Sequence, residues 1–297
     1  MQIKYIARAL RLAFVTASVL PYVFGSLINT ENFCFLNFIL GLFAVACTHL
    51  SANLINDYAD AKTGADSHDA VFYGFFGGSK LIQEGRFLPK VYFKFAVLFA
   101  VIALSCVFAL SLLLKSVFII LIYFIIIILS WQYSAKPLQF CYHRLGEFFI
   151  FLLFGPALVM GGYFIQTGIF PDLKSFVLSV PFGLFTTAIL FANEVPDFIT
   201  DVKSAKFTWV GLVKQNKTYL AYMLIMFLAF SFVGLSVILG FLKPLALFSL
   251  IFIFPSLKAA NILRKHYLDK IRLVESSKLT IAVQAAVSVV LILGIWL

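Results

Sequence analysis

Nine stretches of roughly 20 apolar residues follow one another along this chain of 297 residues, at 12–30, 33–55, 92–114, 116–134, 148–166, 175–193, 218–240, 244–261 and 279–297. A helix needs about 20 such residues to cross about 30 Å of hydrocarbon, where every backbone N–H and C=O must be bonded within the protein. Runs this long and continuously apolar do not suit a barrel, whose strands alternate. The expected fold is all-α: a polytopic membrane helical bundle of nine transmembrane helices, forming one domain over 1–297. Only 12% of the residues are charged, against about 25% in a soluble domain.

Charge orients the bundle. Of 23 Lys and Arg, only Lys115, Lys174 and Lys243 fall on the side opposite the N-terminus. By the positive-inside rule the N-terminus is cytosolic, in a cell inner membrane. Of 13 acids only Glu31 and Asp172 lie outside, so the chemistry is expected on the cytosolic side. The net charge of +10, and the run Lys258–Lys278 in particular, reads as attraction to the anionic lipid bilayer, with no nucleic-acid partner. Lys4, Arg8 and Arg11 precede an apolar run without a clear small-x-small cleavage site, so the first span is expected to be retained. Cys34, Cys47, Cys106 and Cys141 lack metal-ligand spacing, and His49, His68, His143 and His266 form no ligand pair. His49 reads as a packed polar residue.

Two acidic clusters break the apolar pattern: Asn53, Asn56, Asp57 and Asp60 at the end of span 2, and Asn193, Glu194, Asp197 and Asp201 at the end of span 6. A carboxylate at hydrocarbon depth costs on the order of 3 kcal/mol, so these sites call for compensating charge. The clusters lie four spans apart, and each has an Asn four residues before an Asp. An even offset leaves both on one side of the membrane, which suggests an internal duplication of a four-helix unit. On a helix Asn53, Asn56, Asp57 and Asp60 share a face, as do Asn193, Asp197 and Asp201. Oxygen ligands of this kind suit Mg²⁺, which is typically held by a few carboxylates together with substrate phosphates. The inner loops at 58–91, 194–217 and 262–278 are expected to be long, and the first carries Gly74, Gly77, Gly78 and Gly85 around Lys80.

Facing acids, loop lysines and an aromatic interior with 36 Phe describe an enzyme that ionises a polyprenyl diphosphate. The metal neutralises the leaving pyrophosphate, and aromatic faces stabilise the allylic cation in a dry cavity.

Asn56-Asp57-Tyr58-Ala59-Asp60 with Asp66, and Asn193-Glu194-Val195-Pro196-Asp197 with Asp201, resemble the paired motifs of the UbiA superfamily of intramembrane aromatic prenyltransferases. The first motif is most similar to the 1,4-dihydroxy-2-naphthoate polyprenyltransferase branch of menaquinone synthesis. The likeness also takes in Arg11, Pro21 and Gly25, then Gly77 to Lys80, then Tyr133 to Leu138, and runs to about residue 205. It implies two Mg²⁺ ions, one held by Asn56, Asp60 and Asp66, the other by Asn193, Asp197 and Asp201. It implies that Arg11 and Lys80 bind pyrophosphate, that Tyr133 and Lys136 line the catalytic site, and that Asp57 acts beside the first metal. Gln139 and Lys136 depart from the pattern, which shifts a positive charge by three residues.

The implied reaction is attack by the ring of an aromatic acceptor on the prenyl cation. With dihydroxynaphthoate, carboxyl loss accompanies it, and Asp57 or Asp201 is the candidate acceptor of the ring proton. Alternative acceptors are 4-hydroxybenzoate, homogentisate, a chlorophyllide or a glycerol phosphate ether. From other classes, a cation-coupled transporter predicts charges at mid-membrane, and a non-catalytic scaffold predicts no effect of removing the acids.

Overall fold

The computed structural model describes residues 3–31, 33–65, 69 and 71–296. Every one of the nine apolar stretches is largely helical. The α-helices are α1 (Ile3–Ala9), α2 (Thr16–Leu27), α3 (Phe35–Thr63), α4 (Pro89–Leu113), α5 (Val117–Gln132), α6 (Gly146–Phe154), α7 (Pro156–Thr167), α8 (Leu173–Lys203), α9 (Thr218–Ile238), α10 (Ile253–His266) and α11 (Lys270–Trp296). No strand occurs among the described residues, only an isolated bridge between His143 and Phe207.

Among the described residues seven helical segments are long and apolar enough to cross a membrane, and an eighth arises if α1 and Leu12–Leu27, bent by 51°, count as one. The expected count of nine is therefore not reproduced by length and composition, because α5 has only 16 residues. Two predicted spans are composite. Pro156 starts α7 immediately after α6, and a 3₁₀ segment, Pro244–Phe252, leads into α10. Lipid explains the outer surface: Ile238, Phe248 and Phe254 are exposed on what would be an unusually greasy face for water.

The polar loops are shorter than expected. α3 continues to Thr63, α8 to Lys203, and α10 and α11 leave only 267–269 between them. Helical backbone bonds are satisfied internally at any depth, so nothing ends a helix where hydrocarbon ends. These overhanging turns carry the acids.

α8 is the axis of the molecule. Of its apolar stretch 78% is buried, against at most 44% in any other long helix, and α2, α6, α7, α9 and α11 all pack on it. α3 packs chiefly on α4, as α8 does on α9, so each acid-bearing helix leans most heavily on its successor. In lipid, close approach of backbones replaces the hydrophobic driving force between helices, and small residues permit it. Gly25 of α2 meets the backbone of Val159 on α7, and Gly155 meets Ser179 and Gly183 on α8. A methyl on Gly25 would collide with the Val159 carbonyl, which is backbone and cannot rotate away. Gly25→Ala is expected to destabilise the bundle by about 1–3 kcal/mol, read as a lowered thermal midpoint in detergent; an unchanged midpoint would contradict this contact.

Candidate active site

Both acidic clusters sit at the same end of the bundle and line one cavity of about 230 Å³. Asn56 and Asp60 reach it from the last turns of α3, and Asn193, Asp197 and Asp201 from the last turns of α8. Pro196 lies inside this part of α8 and has no N–H to give the carbonyl of Ala192, so the helix loses a rung amid the acids. Arg11, Lys80 and Tyr133 line the same space. Asp66 lies outside the described residues.

Several of these polar groups are held by neighbours. Arg11 donates to Asn56 Oδ1 at 3.0 Å and pairs with Asp57. Asn56 Nδ2 donates to Ser134 Oγ at 2.6 Å, which turns its oxygen toward Arg11. Tyr142 donates to Asp60 Oδ1 at 3.1 Å, and its own hydroxyl meets Thr63 Oγ1 at 2.9 Å. Gly77 N–H donates to Asp197 Oδ2 at 2.8 Å. That contact draws the loop after α3 over the mouth of the cavity and needs φ values of 73° and 76° at Gly77 and Gly78, which glycine adopts without strain. Lys206 lies 3.3 Å from Asp201, and Lys270 lies 2.7 Å from Asp69 and 3.7 Å from Asp197.

Outside the spans, two groups show how strongly the charges couple. Burial opposes the charge of Lys206, but Asp201, Cys141 and Asp60 outweigh it and hold the ammonium well above its usual range. For Asp69 burial favours the neutral acid; bonds from Lys270 and the Val71 amide, with the Lys270 charge, still pull its carboxyl down.

Two of the residues expected in the site stand elsewhere. Asp57 is 2% exposed and off the cavity wall, with Arg11 on one oxygen and the Ser79 N–H, at 3.3 Å, on the other. It contacts Arg11 and the loop after α3 and does not line the cavity. Lys136 is exposed beyond the end of α5 and does not line the cavity, and Gln139 turns back onto the Ser134 carbonyl. The chain reverses direction just after α5, so a displacement of three residues points the side chain outward. Glu147, in the first turn of α6, is buried and accepts the Trp209 N–H.

Further residues hold the site together. Lys206, Lys270, Asp69, Tyr142 and Ser134 have no periodic relation to either cluster. Lys270 belongs to the run read as lipid-facing, yet it points inward at Asp197. The nearest available signal was numerical: five carboxylates at one end require more cations than Arg11 and Lys80.

The donor set suits a hard divalent cation. Among the described residues no three of His, Cys, Asp and Glu form a ready cage. Mg²⁺ does not require one, since one or two carboxylates with substrate phosphates suffice. Asn193 Oδ1 is buried in the cavity wall without a hydrogen-bond partner, a hard oxygen of the right kind.

A second cavity of about 510 Å³ lies deeper between α2, α3, α4, α5, α6 and α7. Its walls are mostly aliphatic and aromatic, including Val107, Ile119, Ile126 and Phe164. The two spaces share His49, Ala52, Asn53, Ser130, Leu153 and Phe154.

A carboxylate- and lysine-lined chamber at the end of a transmembrane bundle, joined to an apolar one, defines an integral membrane protein with the pocket of an enzyme. The chain belongs to the UbiA prenyltransferase family, whose family model matches residues 18–275. It is 28% identical over 257 residues to the UbiA prenyltransferase domain-containing protein 1 homolog of Drosophila melanogaster, covering 82% of this chain and 68% of that one. It is 28% identical over 170 residues to a 1,4-dihydroxy-2-naphthoate octaprenyltransferase of Mycobacterium leprae, covering 57% of this chain and 55% of the relative. The match thus spans about half of the mycobacterial protein. Among solved structures, the apo UbiA homolog of Aeropyrum pernix K1 superposes with a TM-score of 0.72 at 15% identity, covering 94% and 97% of the two chains. The Archaeoglobus fulgidus homolog bound to GPP and Mg²⁺ gives 0.57 at 17%, covering 96% and 99%.

Proposed function

We propose that this protein transfers a polyprenyl group from an allylic diphosphate to an aromatic acceptor in a Mg²⁺-dependent reaction, with 1,4-dihydroxy-2-naphthoate as the acceptor. The observation that carries the reading is the convergence of two acid-tipped helices on one polar cavity that continues into an apolar one. The apolar chamber suits the prenyl chain, and the polar one suits its pyrophosphate. The choice of acceptor is supported by the form of the first motif and by the naphthoate octaprenyltransferases of Mycobacterium leprae and Bacillus subtilis among the relatives.

In this reading Asn56 and Asp60 with Asp66, and Asn193 with Asp197 and Asp201, hold two Mg²⁺ ions. Bound magnesium supplies positive charge that makes pyrophosphate a better leaving group. Lys80 and Arg11 orient the anion. The C1–O bond of the ester breaks and pyrophosphate leaves with the bonding pair, the acceptor carbon bonds to C1, the ring regains aromaticity by losing its carboxyl group as CO2, and the apolar chamber keeps water from the cation. Tyr133 lines the polar cavity, where its ring face would attract the positive charge. The excess of Lys and Arg at the acidic end supports a cytosolic location for this end and the N-terminus, in a cell inner membrane.

The test is purified protein in detergent with geranylgeranyl diphosphate, Mg²⁺ and a panel of aromatic acceptors, read by mass spectrometry. Prenylated dihydroxynaphthoate is the expected product. A different prenylated acceptor would replace the substrate assignment, and no product with any acceptor would favour transport over transfer, because transfer needs no second compartment.

A further inference from the structure

We propose that His49 recognises the aromatic acceptor by hydrogen-bonding one of its ring hydroxyls at the junction of the two cavities. This rests on the prenyltransferase reading above. His49 is on α3, 7% exposed, and lines both chambers. Its Nδ1 lies 2.6 Å from Ser18 Oγ on α2, and its ring stands edge-on to Phe154, 6.0 Å between centroids. These contacts orient the imidazole. Its Nε2 is buried and has no hydrogen-bond partner.

A buried polar atom without a partner is costly in a purely structural residue, by about 1–3 kcal/mol. The other polar side chains at the junction are engaged. Asn53 Nδ2 donates to the Leu10 carbonyl at 3.2 Å, and Ser130 Oγ to the Ile126 carbonyl at 2.5 Å. Of the residues common to both chambers, His49 alone presents a buried nitrogen or oxygen still lacking a bond.

The substrates identify what would meet it. With pyrophosphate among the carboxylates and lysines and the prenyl tail among Val107, Ile119 and Phe164, C1 of the ester comes to the junction. The prenyl tail carries no polar atom, and the anion is drawn to the cations around Asp197 and Asp201. What remains is the acceptor, whose ring must approach C1. A hydroxyl fits either imidazole tautomer, because it donates to a bare Nε2 and accepts from a protonated one. His49 is therefore a substrate-recognition residue, held at its angle by Ser18.

The experiment compares wild type, His49→Phe, His49→Gln and Ser18→Ala in detergent, with dihydroxynaphthoate and the two analogues that each lack one ring hydroxyl. His49→Phe is expected to lower kcat/KM for the dihydroxy acceptor by about 10- to 100-fold, the size of effect that losing one hydrogen bond to a buried partner produces. The KM for the prenyl diphosphate and the thermal midpoint should hardly move. His49→Gln should recover part of the loss, Ser18→Ala should show a smaller one, and one analogue should be used equally by wild type and His49→Phe. Equal losses on every acceptor would overturn the assignment, as would a lower midpoint or a raised prenyl diphosphate KM in step with the loss. Absence of transfer by wild type to any aromatic compound would overturn the functional reading itself, and His49 with it, before a variant is compared.

Discussion

Asp60→Ala and Asp197→Ala are each expected to cut Mg²⁺-dependent pyrophosphate release from an allylic diphosphate by about 10³-fold or more, a loss of at least ~4 kcal/mol in transition-state stabilisation. Both carboxylates face the cavity from the ends of separate helices. Either loss removes charge where a divalent cation and a departing anion must be held. The two changes differ in their side effects. Asp60→Ala deprives Tyr142 of an acceptor, whereas Asp197→Ala releases the Gly77 N–H and one partner of Lys270. Asp197→Asn separates these roles, because its amide oxygen still accepts from Gly77 but carries no charge. It should be as inactive as the alanine variant while unfolding near the wild-type midpoint. Release assays over a Mg²⁺ titration, paired with thermal unfolding, measure both; near-normal turnover in either alanine variant would remove the metal assignment.

Lys206→Met should give the largest effect on stability. The ammonium lies among Asp201 and Asp60, with side-chain exposures of 18% and 10% for Lys206 and Asp201. Removing one partner of a largely buried pair leaves the other uncompensated, at about 3 kcal/mol. The loss should be seen in EDTA and shrink in saturating Mg²⁺, since a cation that binds the folded state more tightly when Lys206 is absent restores the stability in proportion. An equal loss with and without Mg²⁺ would show that Lys206 and the metal do not share these carboxylates. The pH dependence has a definite sign. A lysine whose folded pKa is raised contributes its full stabilisation below the unfolded pKa and loses it only as pH rises through the folded one. The ammonium is held above the usual lysine range, so thermal unfolding should show no loss of stability from deprotonation of Lys206 itself between pH 6 and pH 9.

The legible part of this site is the part carried by single helices. Asn56 with Asp60, and Asn193 with Asp197 and Asp201, repeat at helical spacing, so their common face could be read before any helix was placed. Lys270 shows the limit. It lies in a basic run that composition assigns to lipid, and it comes to Asp197 because the 267–269 connection returns α11 to the bundle beside α8. Asp57 shows the converse. It shares the face of Asn56 and Asp60 on paper, but Arg11 and the Ser79 amide hold it off the cavity.

Apolar length and charge asymmetry, both one-dimensional, already determine that this chain is a membrane-spanning helical bundle with its acids at one end, because lipid leaves the backbone no alternative to internal hydrogen bonding. Which cations face those acids, that Lys136 turns away, and that His49 stands between a polar and an apolar chamber were decided only when the helices packed. Those pairings join residues as far apart as 201 positions, as Lys270 and Asp69 are, and no local period reports a contact made across the bundle.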